Sequence, residues 1–106
     1  MSSFRMTGRL VAAARALAGV SKASFADAGG LSAATIGSLE RGGSAWIVSP
    51  EHVEGVRGAM NHFGILLIDE ADGLGAGVRL KFTRQDVRQV ARLEGEGGII
   101  GSDDAP

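Results

Sequence analysis

The sequence predicts a mainly α-helical bundle of four to five helices, followed by a β-hairpin and a final helix. Three observations carry this. Residues 20–42 hold two short helical patterns separated by the tight turn Ala28-Gly29-Gly30-Leu31. Ser49-Pro50-Glu51 restarts a helix whose apolar face is Val53, Val56, Met60 and Phe63, at helical spacing. Residues 65–69 and 78–82 are strand-like runs joined by a glycine-rich, acidic loop. Residues 1–64 are thus expected to form the helical domain. Residues 65–93 form a hairpin-plus-helix unit, and 94–106 a tail.

Taken in order, Thr7 is placed to cap a first helix that runs to about Leu17 and stops at Gly19. Ser21 caps the second, because a serine oxygen accepts one of the orphan N–H groups of a helix start. That helix ends at Gly29-Gly30, where a left-handed conformation is easily adopted. Ser32 caps a third, Ala33 to about Arg41, which Gly42-Gly43 stops. Phe25, Ala26, Ile36 and Leu39 form the inner faces of the pair. Ser44 to Val48 is a loop carrying Trp46, the only tryptophan, which is expected to plug the core and, if exposed, to anchor a partner. Ser49 caps the fourth helix, with proline at its first position and an acid in its first turn, and Gly64 ends it.

In the second strand-like run, Val78-Arg79-Leu80-Lys81-Phe82, apolar and basic residues alternate, so one face is buried and one solvated. Thr83 and Asp86 form a capping-box variant that opens a last helix through about Leu93. Residues 94–106, with four glycines and four acids, are expected to be disordered. Two strands alone are marginal in water and leave two open edges. A homodimer that joins two hairpins through residues 65–93 answers both problems.

Bulk properties exclude several classes. The chain of 106 residues is long enough for a single core. It has no cysteine, so disulfides and cysteine-based metal sites are absent. No run approaches the roughly 20 apolar residues of a membrane span, and residues 1–6 lack the apolar core of a signal peptide. The expectation is a cytoplasmic protein without a membrane partner. The net charge of −1 hides an asymmetry: +3 over residues 1–42 and −4 over 43–106. A basic first part on an acidic remainder permits nucleic-acid binding with a modest electrostatic contribution.

The string from Val20 to Gly42, V-S-K-A-S-F-A-D-A-G-G-L-S-A-A-T-I-G-S-L-E-R-G, resembles the lambda-repressor-like (Cro/repressor, xenobiotic-response-element) helix-turn-helix family. The matching positions are Val20, Ser21, Phe25, Ala26, Gly30, Leu31, Ser32, Thr35, Ile36, Leu39, Glu40, Arg41 and Gly42, without a gap. Ala12 to Gly19 resembles the family's first helix, with its arginine at Arg15. The resemblance implies a sequence-specific regulator of transcription, usually a repressor. It would bind double-stranded DNA as a homodimer, associated with the nucleoid, with the third helix in the major groove.

Carried over by position, the base-facing residues are Ser32, Ala33, Ala34, Gly37 and Ser38, with Thr35 beside them. Ser21, Lys22, Thr35, Arg41 and Ser44 are expected at phosphates, where the start of the second helix also offers free N–H groups. The resemblance implies a structural ion pair between Arg15 and Glu40. The base-facing set lacks the arginine, asparagine or glutamine whose bidentate bonds each contribute roughly 1–3 kcal/mol of discrimination. Two readings therefore stay open. In one, small side chains allow close approach and DNA shape is read. In the other, the fold holds a protein partner, as an antiactivator or antitoxin does.

Arg84, Arg88 and Arg92 recur every four residues and, with Arg79 and Lys81, suggest either a solvated face or a second basic surface. Asp69-Glu70-Ala71-Asp72 imitates a helicase motif, but no phosphate loop accompanies it. Gly73-Leu74-Gly75-Ala76-Gly77 lacks dinucleotide-binding spacing. His52 and His62 have no neighbours with which to hold a metal. No nucleophile, base and orienting acid cluster in sequence, so neither an enzyme nor a cofactor is expected.

Overall fold

The computed structural model of the chain describes residues 4–83. Over this span it is mainly helical: α1 (Gly8–Ala18), α2 (Lys22–Ala28), α3 (Ala33–Arg41), α4 (Pro50–Phe63) and an antiparallel hairpin of β1 (Ile65–Ile68) and β2 (Gly77–Leu80). The expected last helix and the tail lie outside the described residues.

Local chemistry sets the helix ends. The hydroxyls of Thr7, Ser21, Ser32 and Ser49 accept from the backbone N–H groups of Leu10, Ser24, Thr35 and His52. Each such cap contributes about 1 kcal/mol. Gly19 and Gly64 close α1 and α4 in the left-handed region, at φ 71° and 68°, where other residues are strained. Between α2 and α3, Gly30 takes φ 71° and the Leu31 N–H bonds the Ala26 carbonyl at 2.9 Å, turning the chain within four residues.

The core is Met6, Val11, Ala14, Phe25, Ala26, Ile36, Val56, Ala59, Met60 and Ile65, all buried. Phe25 stacks on Phe63 with ring centroids 6.1 Å apart. Two helix contacts are made backbone to backbone. Gly8 lies against the carbonyl of Leu39, and Gly29 against that of Gly55, so that no side chain separates α1 from α3 or α2 from α4 there.

The segment before α1 pairs with the loop after α3. The Ile47 N–H bonds the Met6 carbonyl and the Arg9 N–H the Gly43 carbonyl, both at 2.8 Å, and Thr7 and Trp46 face each other in an antiparallel bridge. This pairing corrects the expectation for Trp46. Met6 takes the inward position, and Trp46 is turned outward, 39% exposed, with the Arg5 guanidinium 4.0 Å from its ring centroid.

The hairpin register pairs Ile65 with Leu80, Leu66 with Arg79, Leu67 with Val78 and Ile68 with Gly77. The strands are therefore shifted from expectation: β1 stops before Asp69, and β2 starts one residue earlier and ends at Leu80. One further bond, from the Lys81 N–H to the Gly64 carbonyl, extends the pairing. At the tip, Ala71 and Leu74 exchange backbone bonds around Asp72 and Gly73, which have φ of 52° and 79°. Two successive positive φ angles give a turn of the kind whose twist suits a hairpin. β2 packs on α1 and β1 on α4, and Ile65 joins the helical core.

Candidate nucleic-acid interface

α3 turns Ile36 into the core and half-buries Leu39. Its outward residues Ser32, Ala33, Ala34 and Ser38 are exposed, so four of the five expected base-facing positions lie open on one face. Ser32 is also the helix cap. Its hydroxyl accepts from the Thr35 N–H at 3.0 Å and donates to the Thr35 hydroxyl at 2.9 Å, and Thr35 itself is half-buried.

Gly37 departs from the expected arrangement, for it is buried. A methyl group added there would lie 3.5 Å from Arg41 Nη1 and 3.8 and 3.9 Å from Lys22 Cδ and Cε. The lysine stem and the guanidinium thus converge over the middle of α3, one from the start of α2 and one from the last turn of α3. The absence of a side chain at Gly37 leaves room for them. Lys22 and Arg41 are themselves exposed, as are Ser21 and Ser44. Ser21 caps α2, accepting from the Ser24 N–H at 3.1 Å and donating to the Ser24 hydroxyl at 3.2 Å.

Behind this surface, Arg15 and Glu40 form a bidentate pair. Arg15 Nε donates to Glu40 Oε2 at 2.8 Å and Nη2 to Oε1 at 3.1 Å, while Nη1 donates to the Val20 carbonyl at 3.3 Å. The two side chains are 25% and 12% exposed. The hydrogen bond that Arg15 donates to Glu40, opposed by desolvation and aided by the carboxylate's charge, raises the guanidinium above its ordinary value. Arg15 is therefore charged at any neutral pH. It ties α1 to the end of α3 and to the loop before α2, fixing the angle between the two helices.

The Arg9 side chain, not picked out from the sequence, is exposed and lines an open concavity of about 330 Å³ with Thr7, Leu10, Ser44 and Trp46. Glu70 and Ala76 close it from the hairpin side. The signal for Arg9 was its place in the first turn of α1, but its nearness to Ser44 arises only through the bond to Gly43. Arg79 and Lys81 lie elsewhere, exposed on the outer side of the hairpin. Arg84, Arg88 and Arg92 lie outside the described residues. Among the described residues no group of three or more histidine or acidic side chains could hold a metal ion, and no helix is long and apolar enough to cross a membrane.

No family model matches the chain, and no curated protein or solved structure matches it either.

Proposed function

We propose that the chain is a DNA-binding regulator of transcription of the lambda-repressor-like helix-turn-helix kind. It inserts α3 into the major groove as a homodimer and represses by covering a promoter on the nucleoid. The observation that carries the reading is the convergence of Lys22 and Arg41 over Gly37, beside an open face of small side chains. Two cations that converge beside the exposed small side chains of α3 suit the backbone of a polyanion. Ala33 and Ala34 fit against thymine methyl groups, and Ser38 can bond to either kind of base pair. With no bidentate donors among them, selectivity comes largely from groove shape.

The same smoothness favours a second reading, a protein-interaction module that uses α3 as a contact face. A gel shift against fragmented genomic DNA at two salt concentrations separates the two. The regulator retains a subset of fragments, and Lys22→Ala and Arg41→Ala each weaken binding at all sequences alike, reducing the salt slope by about 1. No retention at low salt, together with co-purification of a protein, would establish the module instead.

A further inference from the structure

The hairpin's hydrogen bonds decide which way each backbone group of β1 faces. The Lys81 N–H bonds the Gly64 carbonyl at 2.8 Å. In a planar trans peptide the next N–H, that of Ile65, points the opposite way. Alternation along an antiparallel pair then makes Leu66–Arg79 and Ile68–Gly77 the hydrogen-bonded pairs. Ile65 and Leu67 therefore direct their N–H and C=O groups away from β2, to the strand's other edge. Among the described residues no strand lies beside that edge, the sheet being β1 and β2 alone. An open groove of about 290 Å³ borders it, lined by Ile65, Leu66, Leu67 and Asp69 together with Phe4 and residues of α4. The groove takes in both faces of β1 and no residue of β2, which places it at the free edge.

We propose that a second copy of this chain adds its own β1 here, antiparallel about a two-fold axis at Leu67. The result is a four-stranded sheet in the order β2, β1, β1, β2. The inference rests on the homodimer of the proposed reading and names its joint, but does not depend on α3 meeting DNA. In this register the two Leu67 residues exchange N–H to carbonyl bonds, and Leu66 of each copy stands opposite Ile68 of the other. Leu66 and Ile68 are 47% and 44% exposed in one copy. Side-chain pairs of this kind on one face are what stabilise neighbouring strands. The four together make one apolar strip across the joint. A register centred on Leu66 would instead set Ile68 against Gly64, which has no side chain to pack. Two strands alone are marginal in water, whereas four with an apolar face are not.

Charge decides for β1 over β2. By the same alternation Val78 and Leu80 turn their backbone groups to the outer edge of β2, so that edge too has bonds to offer. On its outer face stand Gly77, Arg79 and, just beyond the strand, Lys81, both cations being exposed. Pairing two β2 edges sets Arg79 against Arg79, Lys81 or Gly77, according to register. Like charges directly opposite one another destabilise a pair, and glycine adds no packing. Cations on an edge strand are a common guard against such pairing. β1 carries no charge before Asp69. One edge is guarded, and the other is left for the partner.

Cross-linking of the full chain tests this without DNA. The chain has no cysteine, so introduced thiols are the only ones present. A Leu66→Cys chain and a tagged Ile68→Cys chain are refolded together in a glutathione redox buffer. Residues 66 and 68 across the joint form a non-hydrogen-bonded pair with Cα atoms about 4.5 Å apart, within reach of a disulfide. Like positions lie on the diagonal at roughly 7–8 Å, beyond the usual reach. The mixture should give a covalent heterodimer on a non-reducing gel, and either variant alone should not. In sedimentation, Leu66→Lys should raise the dimer dissociation constant about tenfold or more, while Arg79→Ala should not weaken the dimer. No cross-link in the mixture, an equal cross-link in either variant alone, or equal weakening by Leu66→Lys and Arg79→Ala would overturn the proposal. Each of these leaves the gel-shift result standing, so a wrong joint is told apart from a wrong reading of α3.

Discussion

Arg15 and Glu40 show how one pair of charges holds the proposed binding surface from behind. Both carboxylate oxygens of Glu40 are occupied by the same guanidinium, and the third nitrogen of that group holds the Val20 carbonyl. Removing Glu40 strands a cation in a partly dry site, a change that costs 3–5 kcal/mol when burial is complete. With Arg15 a quarter exposed, water recovers part of that. Glu40→Ala should therefore destabilise by about 2 kcal/mol, lowering the melting temperature by on the order of 10 °C in a calorimetric scan. The sign of any pH effect follows from the raised value of Arg15. Stability gained by a cation whose pKa rises on folding is fully present below its unfolded value and lost only as pH rises through the folded one. For an arginine that window is strongly alkaline, so Arg15 itself adds no pH dependence at neutrality. An Arg15→Lys variant, with its single compact charge, should lose much of the same stability because it cannot make the two parallel bonds.

At the scale of elements, two helix contacts rest on glycine. Gly29 and Gly58 both face the seam between α2 and α4 but differ in what a methyl group would meet. At Gly29 it would run into the carbonyl of Gly55, with the carbonyl carbon only 2.8 Å away. At Gly58 the nearest atom is the Gly29 Cα at 3.9 Å, an ordinary contact. Gly29→Ala should thus push α2 off α4 and cost roughly 2–3 kcal/mol. Gly58→Ala, inside α4, should gain up to about 1 kcal/mol from helix propensity. Opposite shifts in urea midpoint would establish the pair; equal shifts would refute the close approach. The four caps and the stops at Gly19, Gly30 and Gly64 were legible in the chain because they are settled within one turn of backbone. Asp72-Gly73 was equally local, a strong hairpin signal, but was read as part of a longer glycine loop. Trp46 and Gly37 were not legible, because each depends on partners distant in sequence. Whether Met6 or Trp46 turns inward follows from the pairing of residues 6–9 with 43–47. Whether Gly37 is open follows from where Lys22 and Arg41 lie.

For the whole molecule, the charges and the exposed face of α3 together limit what one copy could do on DNA under the proposed reading. The first 42 residues carry a net charge of only +3, and the outward face of α3 offers alanines and serines. A single copy therefore gains little from counterion release and little from base contacts. On the proposed reading, useful affinity requires two copies held in fixed relation, and the hairpin edges, unpaired among the described residues, are the proposed joint. Joining two weak sites makes the second contact intramolecular, and overall binding can then exceed either alone by about 10²-fold or more. On the proposed reading, a two-fold dimer would set its α3 helices one helical turn apart, about 34–36 Å. Duplexes carrying the selected sequence as an inverted repeat at that spacing should shift at a protein concentration at least about tenfold below that for a single half-site. Moving one half-site by about 5 base pairs turns it to the opposite face of the duplex and should remove the gain. Sedimentation of the free protein should give a dimer over the same concentration range. A monomer that binds one half-site as well as two would mean that recognition does not use the hairpins, and residues 65–93 would then need another role.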